Sequence, residues 1–538
     1  MTLTGVIYLE EAAYAHSILN SKLSKYCDGC LSSVSNLRSC SSCKLMMYCS
    51  RDCQRRMWHV HKLECKQYTK CRRLPIAHVR LILRIICIKD MKDYIDSLVS
   101  RKYSYILMFL LDENEILSNS DLMEKYHTMR LTLQDFLDGE IPVNEETIFQ
   151  TFCRIQINSF MYTDQDGVDV GPALFLRTAR LDHSCVPDMH YVFWNRRIVL
   201  CKYSSSTCSL LPHISYCDCM ATTEERRTYL LKNYYFECKC SLCVDANREK
   251  RITSLICCSS DCLSEPIQFD NLPSSVKLKE CNNDKLPKSI MVRYCFVCLQ
   301  VYDDRLINRI ANNLYGQTEV QPDIDTALDA LIMYLRCCQI NEPTQNIQLS
   351  SVKDIQFEES RPYYKLFGHK DSLHLARCCS RIQFMHTIPI DSLLNNINSR
   401  QQYNEKNFKV TKDSLVNIII ASSLNEFYWR TTWLLSDYLP LGRLVYSIVS
   451  FLLLHINDTS EFYNCNRMNE IKNYLMPPYN KNINLNCLGR VLCKFSKIAY
   501  DVLSPLAPYH PNWQNGLSII EYYKAQDIED DGIDNNHL

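Results

Sequence analysis

The spacing of apolar residues divides the chain into stretches of different period. Near the start, VIYL is a short apolar run that predicts a strand, stopped by Glu10 and Glu11 and followed by loop up to residue 26. Residues 66–157 read as mostly helical. Within them, LMEKYHTMRLTLQDFLDG at 122–139 places Leu122, Tyr126, Met129, Leu133 and Phe136 on one helical stripe, which predicts a helix ending at Gly139 with that stripe in the core. MHYVFW and RRIVLCKY, between 189 and 203, read as strands. Helical periodicity returns after about residue 306, most clearly in DTALDALIMYLRCC and DSLVNIIIASSLNEFYWRTTWLL. VYSIVSFLLLHI at 445–456 is shorter than the ~20 residues a membrane helix needs and carries Ser447, Ser450 and His455, so it predicts a buried helix and no membrane span. Polar stretches near 266–290 and 340–360 read as linkers, and the acidic tail at 525–538 has the composition of a disordered segment.

With 538 residues, of which 46% are hydrophobic, the chain can bury two or three cores. Its net charge is zero, which gives no general case for nucleic acid. Locally the balance is broken: ten Lys or Arg residues lie between Arg51 and Arg84 against only Asp52 and Glu64. Such a run is either a solvated face or a docking surface for an acidic partner. The first residues lack a basic segment and an uninterrupted apolar core, so they do not read as a secretory signal. In a reducing compartment, 31 cysteines are metal ligands and free thiols rather than disulfides.

Ligand-type residues concentrate between Cys27 and Cys65, as CDGC, CSSC at 40–43, CSRDC at 49–53 and HKLEC at 61–65. A couple separated by two residues lets one tight turn place two thiolates on one ion, and Gly29 eases the first such turn. The four-residue spacing of Cys49 with Cys53, and of His61 with Cys65, puts each couple on one face of any helix there, whereas His59 would point elsewhere. An alternating assignment makes two zinc sites, Cys27, Cys30, Cys49 and Cys53 against Cys40, Cys43, His61 and Cys65. Together they cross-brace a segment too short for an apolar core. Further along, Cys238, Cys240 and Cys243 are one ligand short of a tetrahedron, with Cys185 as candidate fourth. Cys257 or Cys258 with Cys262, and Cys295 with Cys298, form a third group that is either a ribbon-like fourth zinc site or free thiols.

The first segment resembles the MYND zinc finger, including Tyr48, Trp58 and Lys62 around the ligands. NSF at 158–160, GPALF at 171–175, DHSCVPD at 182–188, ISYCD at 214–218, TTEERR at 222–227 and YYFECKCSLC at 234–243 resemble, in order, the SET-and-MYND (SMYD) protein-lysine methyltransferases. The resemblance implies a multidomain α+β protein: a β-rich SET core interrupted by the MYND finger, a post-SET zinc site and an α-helical TPR-like C-terminal domain. The segments would be an N-terminal SET fragment over 1–26, the finger over 27–65, helical linker and insert over 66–157, SET core over 158–237, post-SET over 238–245, a Cys-containing insertion over 246–305, the TPR-like domain over 306–524 and the tail. It implies lysine methylation of histone or non-histone proteins from S-adenosylmethionine, in cytoplasm and nucleus. Tyr216 and Tyr234 would be catalytic. Asn158, Ser159, Asp182, His183 and Phe236 would lie at the cofactor. Cys185, Cys238, Cys240 and Cys243 would hold the third zinc. Three features depart from the family: no glycine-rich cofactor loop precedes the finger, Asp182 replaces an asparagine, and YSSSTCSLLPHISY replaces an acidic turn ahead of Tyr216. They imply the second expectation, a catalytically impaired scaffold whose finger binds proline-rich peptides.

Overall fold

A computed structural model describes residues 5–70, 74–87, 120–165, 167–203, 212–253, 292–294, 301–303, 390–392, 394–395, 411–433, 438–455, 465–472 and 487–524. The third cysteine group, the helix expected at 325–338, both linkers and the acidic tail lie outside these residues, apart from the short strands Val292–Tyr294 and Val301–Asp303. The chain is of mixed helix and strand and forms two compact units. One comprises Met1–Cys219, Glu224–Cys240 and Asp501–Asn515; the other comprises Met220–Thr223, Ser241–Tyr500 and Gly516–Leu538.

In the first unit, β1 (Gly5–Ala12) does not stop at the two acids, as VIYL alone suggests, but runs through them. Each carboxylate has a partner. Glu10 meets Arg197 at 3.1 Å and accepts from the Tyr509 hydroxyl, while Glu11 accepts from the backbone N–H groups of Arg177 and Thr178 and from the Thr178 hydroxyl at 2.7–2.8 Å. Side-chain polarity does not end an edge strand whose charges are met outside the ladder. β2 (Ala15–His16) follows, then β3 (Arg38–Ser39) and β4 (Met47–Tyr48), which form a small hairpin. Next come α1 (Arg51–Tyr68) and α2 (Ala77–Ile86). Helix Ser120–Phe136 buries the five stripe residues, and Asp138 and Gly139 end it in left-handed conformation, Gly139 with φ +83°.

Helix Glu145–Asn158 leads into β5 (Ser159–Thr163), β6 (Asp169–Leu174), β7 (Asp182–His183), β8 (Met189–Trp194), β9 (Arg197–Tyr203) and β10 (His213–Ile214). Two three-stranded antiparallel sheets result, ordered β1-β9-β8 and β2-β6-β5, and β7 pairs parallel with β10. The sheets meet through rings: Phe193 of β8 stacks on Phe175 at 5.9 Å and meets Tyr162 of β5 at a tilt, 4.8 Å away. Residues 501–515, inside the span expected to be purely helical domain, belong to this unit. There the Tyr203 hydroxyl donates to the Val502 carbonyl.

The basic run does not form a uniform solvated face. Arg80 and Arg84, on α2, are buried. Arg84 donates through Nε and Nη2 to both oxygens of Glu64, through Nη1 and Nη2 to both oxygens of Asp28, and through Nη1 to the His16 carbonyl, at 2.7–3.0 Å. All five guanidinium protons are thus used. Arg80 donates to the carbonyls of Pro75 and Ile18 and to Asn20. Burial pushes the Glu64 carboxyl up, yet Arg84, with His61 and Arg80, outweighs it and holds the group down to about 2. His16, whose Nε2 donates to the Asp28 carbonyl at 2.7 Å, is lowered to about 4, chiefly by burial.

In the second unit, helix Lys412–Trp433 packs on Tyr438–His455 and Cys465–Lys472, and Phe427 meets Phe495 at 4.4 Å. Tyr438–His455 is, among the described residues, the one helix long and apolar enough to cross a membrane, and half of it is buried within the fold.

Two outcomes follow from the buried network. Arg84→Ala leaves two buried carboxylates without a cation and is expected to destabilise the first unit by about 3–5 kcal/mol in denaturant unfolding, with Arg84→Lys intermediate. An unchanged midpoint for Arg84→Ala would show the network to be dispensable. Because His16 titrates near 4 when folded and at 6.5 when unfolded, the unfolded state takes up the proton first as pH falls. Stability should therefore drop by up to about 3 kcal/mol between pH 6.5 and 4, and His16→Gln should flatten that slope.

Candidate functional site

The cysteine-rich segment is built from two similar turns. After Cys30 and after Cys43 the chain passes through a left-handed residue, Leu31 with φ 62° and Lys44 with φ 59°, and its N–H returns to the carbonyl of Cys27 or Cys40. Gly29 is needed for space rather than for backbone freedom: a Cβ there would sit 2.5 Å from the Cβ of Cys53. Cys53, His61 and Cys65 project from α1. Cys49 does not share that helix, contrary to the four-residue reading; it precedes the N-cap Ser50, whose hydroxyl accepts from the Cys53 N–H at 3.1 Å.

These elements gather Cys27, Cys30, Cys49 and Cys53 in one group and Cys40, Cys43, His61 and Cys65 in another, with ligand atoms within 4.8 Å of one another. Cys185, Cys238 and Cys240 approach in the same way, and Cys243, three residues further on, completes that group of four. A tetrahedron with zinc–sulfur bonds of about 2.3 Å has edges of about 3.8 Å. The observed separations are 3.7 Å for Cys30–Cys49, 3.5 Å for Cys49–Cys53, 3.7 Å for Cys40–Cys65, 3.6 Å for Cys43 to His61 Nε2 and 3.9 Å for Cys185–Cys238. The donor sets therefore fit zinc. The hydrogen bond between Cys27 and Cys30 pushes the Cys27 thiol up and holds Cys30 down to about 4, so the two sulfurs do not both carry charge this close without a cation. His61 presents Nε2 to the sulfurs and Nδ1 to Glu64 at 3.6 Å, a carboxylate behind a metal-type histidine. His59 is exposed and bonded to its own helix.

The other candidate residues fall in two places. Asn158 ends its helix, 2% exposed, with its amide donating to the Arg154 carbonyl, and Ser159 opens β5 opposite Leu174. Asp182 and His183 form β7. Helix Thr223–Tyr234 ends where Tyr235 takes the left-handed conformation, φ 59°, a turn that brings Phe236 to within 5.8 Å of the His183 ring. The Tyr216 ring lies 4.8 Å from Tyr234 and 5.2 Å from His183. Its hydroxyl donates to the Leu181 carbonyl, and burial pushes the Tyr234 hydroxyl up in pKa.

His183 links this ring cluster to the sulfurs. Its Nδ1 accepts the Tyr216 N–H at 3.0 Å, so the neutral ring carries its proton on Nε2, which faces Cys185 Sγ at 3.2 Å. His183 is therefore a donor to a ligand sulfur and not itself a ligand. Cys217 joins His183 and Cys185 within the same 4.8 Å. Cys217 stands with Cys219 at the same two-residue spacing as Cys238 and Cys240, a signal the sequence analysis did not use.

Gly29→Ala should disrupt the first turn at a cost of about 1–3 kcal/mol, as overpacking does. Limited proteolysis between residues 27 and 65 should accelerate, and an unchanged cleavage pattern would show that the close approach to Cys53 is relaxed without penalty.

Comparison with known proteins places these features. The MYND finger profile matches residues 27–65. The chain is 29% identical over 251 residues to human histone-lysine N-methyltransferase SMYD3 and equally to SET domain-containing protein 14 of Caenorhabditis elegans, each alignment covering 46% of this chain and 58% of the relative. It is 28% identical over 254 residues to bovine N-lysine methyltransferase SMYD2, covering 44% of this chain and 55% of that protein. The chain thus spans little more than half the length of these curated relatives. The chain therefore carries a MYND finger with donor sets that fit zinc, and just under half of it is similar to proteins of the SMYD family.

Proposed function

We propose that the protein transfers a methyl group from S-adenosylmethionine to a lysine side chain of a protein substrate, histone or non-histone, with Tyr216 orienting the amine. The observation that carries this reading is the Tyr216 hydroxyl. Its proton is committed to the Leu181 carbonyl, so its oxygen presents only lone pairs to a ligand. An acceptor so placed takes an N–H of a neutral amine and leaves the amine lone pair free to attack. The Leu181 carbonyl is a further acceptor at the same point, suited to the polarised C–H groups of a sulfonium methyl. S-adenosylmethionine, when bound, supplies that activated methyl. Tyr234 and Phe236 would wall the channel and exclude water. Both ring nitrogens of His183 are engaged, so its part at the cofactor would fall to its backbone or ring face. Asn158, Ser159 and Asp182 would complete the cofactor side.

In this reading the two sheets with β7 and β10 form the SET core, the C-terminal helices form the TPR-like domain, and three zinc ions occupy the three four-ligand groups. The finger would serve protein recognition: Trp58 and Leu63 are exposed on α1 among Arg55, Lys62 and Lys66, apolar and basic surface suited to proline-rich peptides. Cytoplasm and nucleus are the compartments proposed.

Purified protein should carry three zinc ions per chain by elemental analysis; one or none would sink the architecture. Tyr216→Phe should leave S-adenosylmethionine affinity nearly unchanged in calorimetry and lower turnover about 10–100-fold, the effect of losing one hydrogen bond to the reacting amine. Asp182→Asn should tighten cofactor binding by replacing an acceptor-only charge with an amide. Absence of cofactor binding in both the native chain and Asp182→Asn would overturn the methyltransferase reading.

A further inference from the structure

Cys217 directly follows Tyr216, and its thiol has no part in the methyl transfer proposed above. Its Sγ lies within 4.8 Å of Cys185 Sγ and of the His183 ring. The three are not a separate metal site, because Nε2 of His183 carries a proton aimed at Cys185. They are instead a ligand-type sulfur and a second sulfur beside it, joined through one histidine. Exposure separates the two sulfurs: Cys185 is buried at 2%, whereas Cys217 is half-buried. A small solute therefore reaches Cys217 first. The next cysteine, Cys219, points to the Ser215 hydroxyl at 3.1 Å.

We propose that Cys217 is an oxidation site for hydroperoxides, and that Cys185 resolves the oxidised sulfur as a Cys185–Cys217 disulfide. In the first step the Cys217 sulfur attacks the peroxide: an S–O bond forms, the O–O bond breaks, and the departing oxygen leaves as water or alcohol with the thiol proton. Sulfur is oxidised by two electrons and the peroxide is reduced by two. In the second step the Cys185 thiolate attacks that sulfur. An S–S bond forms, the S–O bond breaks, and hydroxide leaves as water after taking a proton from solvent.

The consequence for the site rests on the zinc reading above. A disulfide sulfur is no longer a thiolate, so the group Cys185, Cys238, Cys240 and Cys243 loses one ligand. His183 loses the sulfur acceptor of its Nε2–H, and the same ring holds the backbone N–H of Tyr216. Oxidation would thus loosen zinc and the amine-orienting tyrosine together, and a reducing dithiol would restore both.

The test treats zinc-loaded full chain with hydrogen peroxide, alkylates free thiols and maps peptides by mass spectrometry, while a chromogenic chelator follows zinc release. A Cys185–Cys217 cross-linked peptide, lighter by two hydrogens and lost on addition of dithiothreitol, is the expected product, together with release of one zinc. Cys217→Ser should abolish that peptide and slow the release by about tenfold or more, the difference between a half-buried thiol and a buried one as the point of attack. Cys219→Ser should behave as the parent. Pairing of Cys217 with Cys219, or zinc release from Cys217→Ser as fast as from the parent, would overturn the proposal. Should Cys217→Ser fail to fold, the peptide map of the parent decides alone. Elemental analysis before oxidation keeps the two readings apart: a disulfide formed in protein lacking the third zinc supports the oxidation site and removes the metal.

Discussion

Arg84 is the group on which the first unit turns. A guanidinium at 1% exposure is tolerated only if every proton is met, and its five protons reach Glu64, Asp28 and the carbonyl of His16. The placement of these partners matters more than their number. Asp28 lies between Cys27 and Cys30, Glu64 lies between His61 and Cys65, and His16 belongs to β2 of the larger sheet region. One side chain on α2 therefore ties both ligand groups of the MYND finger to the sheet. His16 reinforces the tie by donating to the Asp28 carbonyl.

The finger and the ring cluster are built on different principles. In the finger, two short turns and one helix present ligands, and the sulfur separations already lie near tetrahedral edges. The ring cluster depends on irregular chain: a two-strand parallel pair, a tyrosine just past its end, and a left-handed residue that returns Phe236 to His183. His183 is the member common to ring cluster and sulfurs. Its tautomer follows from the Tyr216 N–H, and this links the Tyr216 segment with a cysteine group whose donor set fits a metal. Local strain at Tyr235 is compatible with such a site, where geometry rather than propensity sets the backbone.

Period and spacing were sufficient where the constraint is local. The stripe at Leu122, Tyr126, Met129, Leu133 and Phe136 follows from apolar period, the strands β8 and β9 follow from short apolar runs, and the apolar run at 445–456 marks most of the half-buried helix Tyr438–His455, because runs and periods of apolar residues are one-dimensional patterns. The order of motifs along the chain likewise carries the similarity to SMYD proteins. What no local pattern carries is which polar groups find partners across the fold. Glu10 and Glu11 read as a strand end until Arg197, Tyr509 and the N–H groups at 177–178 meet them. Arg80 and Arg84 read as part of a basic surface until carbonyls and Asn20 take up the first and the carboxylates inside two ligand motifs take up the second. Cys217 gains its place beside a metal-type sulfur only from Cys185 and His183, more than thirty residues away. The sequence by itself determined the elements and the ligand types. Tertiary structure decided the pairing of charges and thiols, because a buried polar group is stable only where distant chain supplies its partner.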